Sequence, residues 1–351
     1  MRITLVTETF YPAVDSTTTT IKATADRLVD LGHEVQIIAP GPGISSYRGC
    51  QVARVRPLEP TGAQAKEALA TFGPDVVQAH SPRAVGRKAL KHARKLGIRT
   101  LVVEQSPVLD LAADYWRAKV AGRADRVLVT SDWMVTRAAE LGVEAALWRP
   151  GVDPAAFHPG LRDQWLHSVW SKAKSTPRGP LTVLGYVGSL HKRHGVRRLA
   201  DLADLPHTRL VVIGDGPERE WLAKRLPAAK FTGPLQTGDL TVALPTLDVL
   251  VHPGTQETDA HVLREAAAAA VPVVAPRAGG AVDVVRHLQT GLLYDADDPA
   301  DLRRAVAAVV GDKRRTLLGE HAREVIGTRT WTDAVDELGS AHYPAVVRTP
   351  A

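Results

Sequence analysis

The chain has 351 residues, of which 44% are hydrophobic, 23% charged and 5% aromatic. This composition is typical of a globular protein with cores of Val, Leu and Ala, and the length favours two α/β domains. The single cysteine, Cys50, excludes an internal disulfide and a thiolate metal cage, and it favours a reducing, cytoplasmic location. No apolar run is long enough to span a bilayer, and the N-terminal MRITLVTETFYP is expected to form a first strand rather than a signal peptide.

The net charge of +6 makes anionic ligands plausible. Basic residues cluster in 83-RAVGRKALKHARK-95 and 191-HKRHGVRR-198, but aromatic residues do not interleave them, which argues against nucleic-acid binding. We expect the first cluster to be the solvated face of a helix, with weak contact to a membrane surface as the alternative. The oligomeric state is left open.

Apolar, strand-like runs alternate with helical ones, which is the signature of βαβ units and a parallel sheet. In the first half we predict a helix over 18–32, closed by Gly32, among strands at 2–7, 34–39, 75–79, 99–103 and 126–130. Three prolines and two glycines in 149-RPGVDPAAFHPG-160 interrupt the pattern, as expected at a crossing between domains. In the second half we predict strands at 181–188, 208–214, 230–233, 249–254 and 271–276.

The stretch 254-GTQETDAHVLREAAAAAVPVVAPRAGG-280 places Glu257 in a polar turn after a strand and Glu265 on the helix that follows. Ligands of open α/β sheets bind outside the carboxyl ends of the strands, where helix N-termini offer unpaired N–H groups. The two carboxylates are therefore placed to contact different parts of one elongated ligand. The alternative is that Glu257 caps the helix and Glu265 is an ordinary surface residue.

Ten pieces of the chain together carry a resemblance to a known family: ETFYPAVDSTTTT (8–20), QAHSP (78–82), PGVDPAAFHP (150–159), LVVIGDGPERE (210–220), FTG (231–233), VLVHPGTQET (249–258), REAAAAAVPVVAP (264–276), AGG (278–280), TGLL (290–293) and WTDAVDELGSAHY (331–343). Over nearly its whole length the chain resembles the family-4 retaining glycosyltransferases of the GT-B type, in particular actinobacterial α-mannosyltransferases that use GDP-mannose.

The resemblance implies an α/β fold of two Rossmann-like domains facing each other across a cleft. We accordingly predict an acceptor domain at 1–160, a linker at 161–180, a nucleotide-sugar domain at 181–325, and a C-terminal helix at 326–351 that returns to the N-terminal domain.

The resemblance also implies site residues. Glu265 would accept hydrogen bonds from the ribose hydroxyls and Glu257, counted with the catalytic residues, from a sugar hydroxyl. The loop Thr258–Ala260 would offer backbone N–H groups to the donor. The other implied donor-binding residues are Gly214 and Gly216 beside the nucleotide, Phe231, Thr232 and Gly233 near the base, and His261 and Val262 at the start of the helix.

The chain departs from the family at the cations that hold the diphosphate. Ser189 and His194 occupy the positions of the family arginine and lysine, and we expect the neighbouring Lys192 and Arg193 to supply charge, with Lys192 counted among the catalytic residues. An exposed basic turn is the alternative.

Two further departures lie in the N-terminal half. In the acceptor and phosphate loop, Asp15 is followed by Ser16 and Thr17 where the family has a glycine. Gln105 stands where the family has a histidine that meets the reacting sugar, and we count it as catalytic. His80 is retained as a candidate ligand contact, although Gln78 replaces the histidine before it.

We therefore expect a retaining glycosyltransferase that moves a sugar from a nucleoside-diphosphate sugar, with GDP favoured, to a small-molecule acceptor, as in antibiotic biosynthesis. The acceptor atom can be O, N or S. The alternatives are a GT-B protein that binds without turnover, and a mannosyltransferase of glycolipid or cell-envelope synthesis. No cofactor or metal is expected, because no His/Asp cluster has ligand spacing. A Rossmann oxidoreductase is disfavoured because the loop after the first strand, ETFYPAVDST, contains no glycine.

Overall fold

The computed structural model describes residues 1–173 and 179–347, which form two compact units. Unit 1 comprises Met1–Gly151 together with the chain from Trp331 onward, and unit 2 is Val152–Thr330. Residues 174–178 of the predicted linker and residues 348–351 of the predicted C-terminal segment lie outside the described part. None of the described helices combines the length and the apolar composition needed to cross a bilayer.

Unit 1 contains an eight-stranded sheet in the order β3-β4-β2-β1-β5-β6-β7-β8, parallel except for the β3–β4 pair. Its inner strands are runs of Ile, Leu and Val, as expected where helices cover both faces of a parallel sheet. The strands are β1 (Arg2–Val6), β2 (Glu34–Pro40), β3 (Ser46–Tyr47), β4 (Cys50–Val55), β5 (Val76–His80), β6 (Arg99–Glu104), β7 (Arg126–Val129) and β8 (Ala146–Leu147). The sequence analysis did not predict β3, β4 or β8.

The first segment of unit 1 contains the α-helices α1 (Ser16–Asp30), α2 (Thr61–Phe72), α3 (Val85–Lys95), α4 (Asp110–Lys119) and α5 (Asp132–Glu140). Helix α1 begins where the Asp15 side chain accepts a 2.8 Å hydrogen bond from the Thr18 N–H. It ends before Gly32, whose positive φ lets its N–H bond back to the Val29 carbonyl.

Unit 2 contains a parallel six-stranded sheet in the order β11-β10-β9-β12-β13-β14. Its strands are β9 (Thr182–Val187), β10 (Thr208–Ile213), β11 (Lys230–Gly233), β12 (Val249–Val251), β13 (Val273–Pro276) and β14 (Gly291–Tyr294). Its helices are α6 (Gln164–Trp170), α7 (Arg219–Arg225), α8 (Thr237–Ala243), α9 (His261–Ala268), α10 (Asp301–Gly311) and α11 (Arg315–Ile326). Strand β14 was not among the predicted strands. The prediction of two Rossmann-like α/β units is confirmed.

The C-terminal segment consists of α12 (Trp331–Glu337), a π-helical turn at Leu338–His342, and α13 (Tyr343–Val347). Ala334, Val335, Leu338 and Tyr343 lie in one buried cluster with residues of β1 and α1. Arg27 and Asp336 form a two-pronged ion pair with both nitrogen–oxygen distances at 2.7 Å. The segment therefore belongs to unit 1.

The unit boundaries differ from the predicted ones because residues 161–171 pack onto unit 2. Arg162 and His167 both contact the carboxylate of Asp248, which also accepts the N–H of Val183 at 2.8 Å. Trp170 is buried in the unit 2 core. This part of the predicted linker is thus an integral piece of unit 2, and the first segment of unit 1 ends at Gly151 rather than 160.

Candidate active site

The loops that follow β9, β10, β11 and β12 come together at one edge of the unit 2 sheet. These four strands are neighbours in a parallel sheet, so their carboxyl ends lie side by side. The loops and the end of β11 contain most of the predicted donor-binding residues, from Ser189 to Ala260, and α9 begins directly after the last of them. The fold therefore brings these predicted residues to one edge.

Two glycines allow the backbones of these loops to touch. Gly214 has φ 136° and Gly216 has φ 155°, conformations that residues with a side chain rarely adopt. A Cβ on Gly214 would overlap the carbonyl of Gly188, and a Cβ on Gly216 would lie 2.6 Å from the carbonyl oxygen of Leu190. Beside them, the N–H of Gly214 bonds at 2.9 Å to the carbonyl of Gly233, which follows the half-buried Phe231 and Thr232. Because these two positions have no side chains, a ligand at this edge can come close to the main chain.

Glu257 is held by donors on both of its oxygens. Oε1 accepts the N–H of Thr258 at 3.2 Å and that of Ala260 at 3.1 Å, while Oε2 lies 3.2 Å from Nε2 of His252. Burial alone would raise the pKa of Glu257, but the bond and charge of His252, with the Ala260 N–H and His261, lower it to about 2. Glu257 is thus a fixed anion at the entrance to α9.

These contacts correct one expectation. The N–H groups of Thr258 and Ala260 were predicted to face the donor, and in the structure they bond to Glu257 instead. Ala260 takes a left-handed conformation with φ 51°, which turns its N–H back toward the carboxylate. Both N–H groups lie before the first helical residue, His261, so Glu257 orders the loop that leads into α9.

Glu265 is in a different state from Glu257. It lies one turn into α9 and is half-buried, and its carboxylate makes no hydrogen bond or ion pair with any residue in the described part of the chain. Burial raises the pKa of Glu265, and the charge of His261 opposes this in part. The Glu265 carboxylate can only accept hydrogen bonds, and it has lost water without gaining donors from the protein. It is therefore suited to bind hydrogen-bond donors of a ligand.

Three charged side chains occupy the turn between the two glutamates. Nε2 of His261 lies 3.4 Å from Oδ2 of the buried Asp259, and Nε of the buried Arg264 donates to the Asp259 carbonyl at 3.3 Å. Burial lowers the pKa of His261, but the bond and charge of Asp259, with the charge of Glu265, produce a net increase. Oδ2 of Asp259 therefore faces His261, and the half-buried Val262 packs on the unit 2 core. Within the described residues, no group of three or more His, Cys, Asp or Glu is arranged to hold a metal ion.

The basic loop after β9 closes against the turn after β12. Lys192, Arg193 and His194 form a short 3-10 turn, in which Nε of Arg193 donates to Nε2 of His194 at 3.2 Å. Burial and the charge of Arg193 lower the pKa of His194, although Glu257 opposes them. Lys192, Arg193 and Ser189 are exposed. The cations predicted for a diphosphate therefore stand at the same edge as Glu257.

In unit 1, the predicted acceptor and phosphate loop lies at the N-terminus of α1. Asp15 is the capping residue, and Ser16 and Thr17 are in the first turn. Glu8, at the end of the neighbouring β1 loop, accepts backbone N–H groups from Arg83, Val85 and Gly86 and so caps α3.

His80 and Gln105 are corrected by the structure. His80 is fully buried, with Nε2 2.6 Å from Nε2 of Gln78 and Nδ1 2.9 Å from Oε1 of Gln105. Gln105 is also buried, and its Nε2 donates to Oγ1 of Thr20 at 2.9 Å. Neither side chain is exposed, and both are hydrogen-bonded to other buried groups of unit 1. They are interior polar groups rather than catalytic or ligand-binding ones.

His252 is the functional candidate that sequence analysis missed. It follows β12, is buried, and contacts the carboxylate of Glu257. The only signal in the sequence was a histidine at the end of a predicted strand, five positions before the glutamate.

Two family models match the chain: Glycosyltransferase Family 4 over residues 17–156 and Glycosyl transferases group 1 over residues 182–312. A GDP-mannose-dependent alpha-mannosyltransferase of Mycolicibacterium smegmatis is 36% identical over 99% of this chain and 98% of the relative. A 2-deoxystreptamine glucosyltransferase of Streptomyces kanamyceticus is 32% identical over 67% of this chain and 64% of the relative.

Among solved structures, an Anabaena protein in complex with UDP-glucose superimposes with a TM-score of 0.81, at 16% identity over 97% of this chain and 98% of that one. At this identity the likeness concerns the fold alone. The full-length relationship to the mannosyltransferase, the two family matches and the two Rossmann-like units agree with one another. The chain belongs to glycosyltransferase family 4, with the GT-B fold, and is a glycosyltransferase.

Proposed function

We propose that the protein transfers a sugar, with retention of anomeric configuration, from a GDP-sugar to a small-molecule acceptor. The observation that carries this proposal is Glu265, a half-buried carboxylate without a described partner, on the helix that begins at the carboxyl edge of the unit 2 sheet. A ribose supplies two adjacent hydroxyl donors, which match the acceptor capacity of such a carboxylate.

The other parts of the edge suit the remaining parts of a donor. Glu257 is a fixed anion, and a carboxylate suits a sugar hydroxyl because it accepts hydrogen bonds. Lys192 and Arg193 supply the positive charge that a departing diphosphate requires, because negative charge accumulates on it in the transition state. An acceptor nucleophile would attack from the face that the diphosphate leaves. The proposal invokes no resident metal or cofactor.

The choice of GDP is supported by the mannosyltransferase relative, whose name specifies GDP-mannose. A small acceptor, as used in antibiotic biosynthesis, is supported by the relative that glucosylates 2-deoxystreptamine. A mannosyltransferase of glycolipid or envelope synthesis is the second candidate, and the mannosyltransferase relationship favours it. A cytoplasmic location, expected from the single cysteine, stays a prediction.

A basic surface on unit 1 supports the predicted weak contact with anionic membranes. Burial and then the charges of Lys91, Lys95, Lys66 and Lys88 lower the pKa of His92 on α3, so these lysines crowd one surface.

The test is a thermal-shift comparison of GDP, UDP, ADP and dTDP. A ligand that binds only the folded protein raises its melting temperature in proportion to affinity and concentration, and we expect the largest increase with GDP. Release of GDP from GDP-mannose on addition of 2-deoxystreptamine or another cyclitol would separate a transferase from a protein that only binds. No shift with any of the four nucleotides would refute the proposal.

A further inference from the structure

Five buried side chains of unit 1 form a continuous hydrogen-bonded chain from the C-terminal segment to α1. The Tyr343 hydroxyl lies 2.6 Å from Oε1 of Gln78, and the chain continues through His80 and Gln105 to Oγ1 of Thr20 with links of 2.6, 2.9 and 2.9 Å. The Thr20 hydroxyl then reaches the Ser16 carbonyl at 3.1 Å. The exposed fraction of Tyr343, Gln78, His80 and Thr20 is 0%, so water does not compete for these groups.

The last link sets the direction of every other link. The Ser16 carbonyl can only accept, so the Thr20 hydroxyl donates to it and its oxygen accepts from Nε2 of Gln105. Oε1 of Gln105 then accepts from Nδ1 of His80, which leaves Nε2 of His80 without a proton and able to accept from Gln78. The carboxamide oxygen of Gln78 accepts from Tyr343. All five links are satisfied only when His80 is the neutral Nδ1–H tautomer.

The charge state of His80 agrees with this direction. Burial lowers the pKa of His80 to about 4, and the bond to Gln105 opposes the decrease only in part. The imidazole is therefore neutral near pH 7. A second proton on Nε2 would face the amide N–H of Gln78 and break the chain.

We propose that Tyr343, Gln78 and His80 are positioning residues: through Gln105 and Thr20 they hold the first turn of α1 in place. That turn carries Asp15, Ser16 and Thr17, so docking of the C-terminal segment and order of the acceptor-side loop are coupled. The functional meaning of the coupling rests on the proposed function, whereas the coupling itself does not.

The test compares two variants of the same C-terminal contact. Tyr343→Phe removes only the hydroxyl that starts the chain. Trp148→Phe removes another buried bond to the same segment, from Nε1 of Trp148 to the Ala334 carbonyl at 2.8 Å, and lies outside the chain. In hydrogen exchange measured on the full protein, we expect Tyr343→Phe to accelerate exchange of the amides of residues 18–20 on the order of fivefold, while Trp148→Phe leaves their rates unchanged relative to the rest of unit 1.

A third variant guards against misfolding. Thr20→Val keeps the side-chain shape and removes the far end of the chain, so it should reproduce the local effect without touching the C-terminal segment. Nitrogen NMR of the wild type should show His80 protonated at Nδ1 and not at Nε2. Equal acceleration by Tyr343→Phe and Trp148→Phe, no acceleration in Thr20→Val, or the opposite tautomer would each overturn the proposal.

Nucleotide binding separates this inference from the proposed function. GDP would bind unit 2, so Tyr343→Phe should keep the wild-type thermal shift with GDP. If wild type itself shows no shift, the proposed function fails, and the exchange rates still decide whether the hydrogen-bonded chain positions α1.

Discussion

His252 contacts Glu257 inside the turn that joins β12 to α9, with Nε2 of His252 3.2 Å from Oε2 of Glu257. Gly254 makes the pair possible, because a Cβ there would lie 3.0 Å from the same Nε2 atom. The side chain of Glu257 is 21% exposed, so it keeps partial access to solvent while His252 contacts Oε2. The histidine fixes both the charge and the direction of the carboxylate that we assign to the donor sugar.

Removal of His252 should show how strongly the Glu257 carboxylate depends on it. We expect His252→Ala to lower the free energy of unfolding at pH 7 by about 1–3 kcal/mol, because a largely buried carboxylate loses a donor. The pKa of Glu257 is lowered to about 2 from 4.5, so this stabilisation is complete above pH 4.5 and is lost as the pH falls through 2. In urea unfolding, the difference in the free energy of unfolding between His252→Ala and wild type should become smaller as the pH falls from 4.5 to 2. His321→Ala, at an exposed position on α11, is the control, and an equal loss there would contradict the assignment.

Glu265 should control nucleotide affinity. Glu265→Ala removes the acceptor for the ribose hydroxyls, and we expect GDP binding to weaken by about 1–3 kcal/mol. Calorimetric titration of GDP measures the loss. Glu320→Ala removes an exposed carboxylate from α11 in the same unit and should bind GDP as wild type does. If Glu265→Ala binds GDP with unchanged affinity, Glu265 does not bind the ribose hydroxyls.

The close contact between Gly216 and the Leu190 carbonyl predicts that a side chain at position 216 destabilises the protein. Gly216→Ala places a Cβ against the Leu190 carbonyl at a φ of 155°, and we expect a loss of about 1–3 kcal/mol in stability with impaired GDP binding. Gly238→Ala is a matched control, because no atom lies within 4 Å of a Cβ there and the residue is in helix α8. That variant should be unchanged or more stable by up to about 1 kcal/mol. Thermal melts with and without GDP compare the two, and similar curves would show that the close approach is unimportant.

Acid should lower the free energy of unfolding of unit 1, because it protonates His80. Its folded-state pKa of about 4 lies below the ordinary 6.5, so the neutral form is stabilised by folding and the contribution is lost as the pH falls from 6.5 through 4. The loss at completion is on the order of 3 kcal/mol. His80→Asn lacks the titrating group, so its disadvantage relative to wild type should shrink over this window in urea unfolding. The other groups that contact the ring, Gln78 and Gln105, are neutral, and the neighbouring Glu104 is common to both proteins. Parallel stability curves for the two proteins would contradict the assignment.

Local patterns were sufficient to predict most of the fold. The apolar runs of β1, β5 and β10 are long enough to be recognised alone, and Gly32 marks the end of α1 because its positive φ suits only a few residues. Strand β4, CQVARV, was missed because only half of its residues are buried and its basic and polar members mask the alternation.

The site was harder to predict, because its partners are distant in the chain. Gln105 meets His80 only because β5 and β6 pair in register, and Tyr343 meets Gln78 across 265 positions. The resemblance placed Glu257 and Glu265 at the right edge of unit 2. It did not show that Glu257 would use the N–H groups of its own loop, since that depends on the left-handed turn at Ala260.

Unit 2 is one continuous stretch of chain, whereas unit 1 is assembled from two pieces. During translation, Trp148 and Gln78 emerge long before Ala334 and Tyr343, the residues that complete their hydrogen bonds. Unit 2 can close as soon as Thr330 has left the ribosome, but the first unit must wait for its second segment. Residues 331–347 therefore complete unit 1 after the whole of unit 2 has been synthesised.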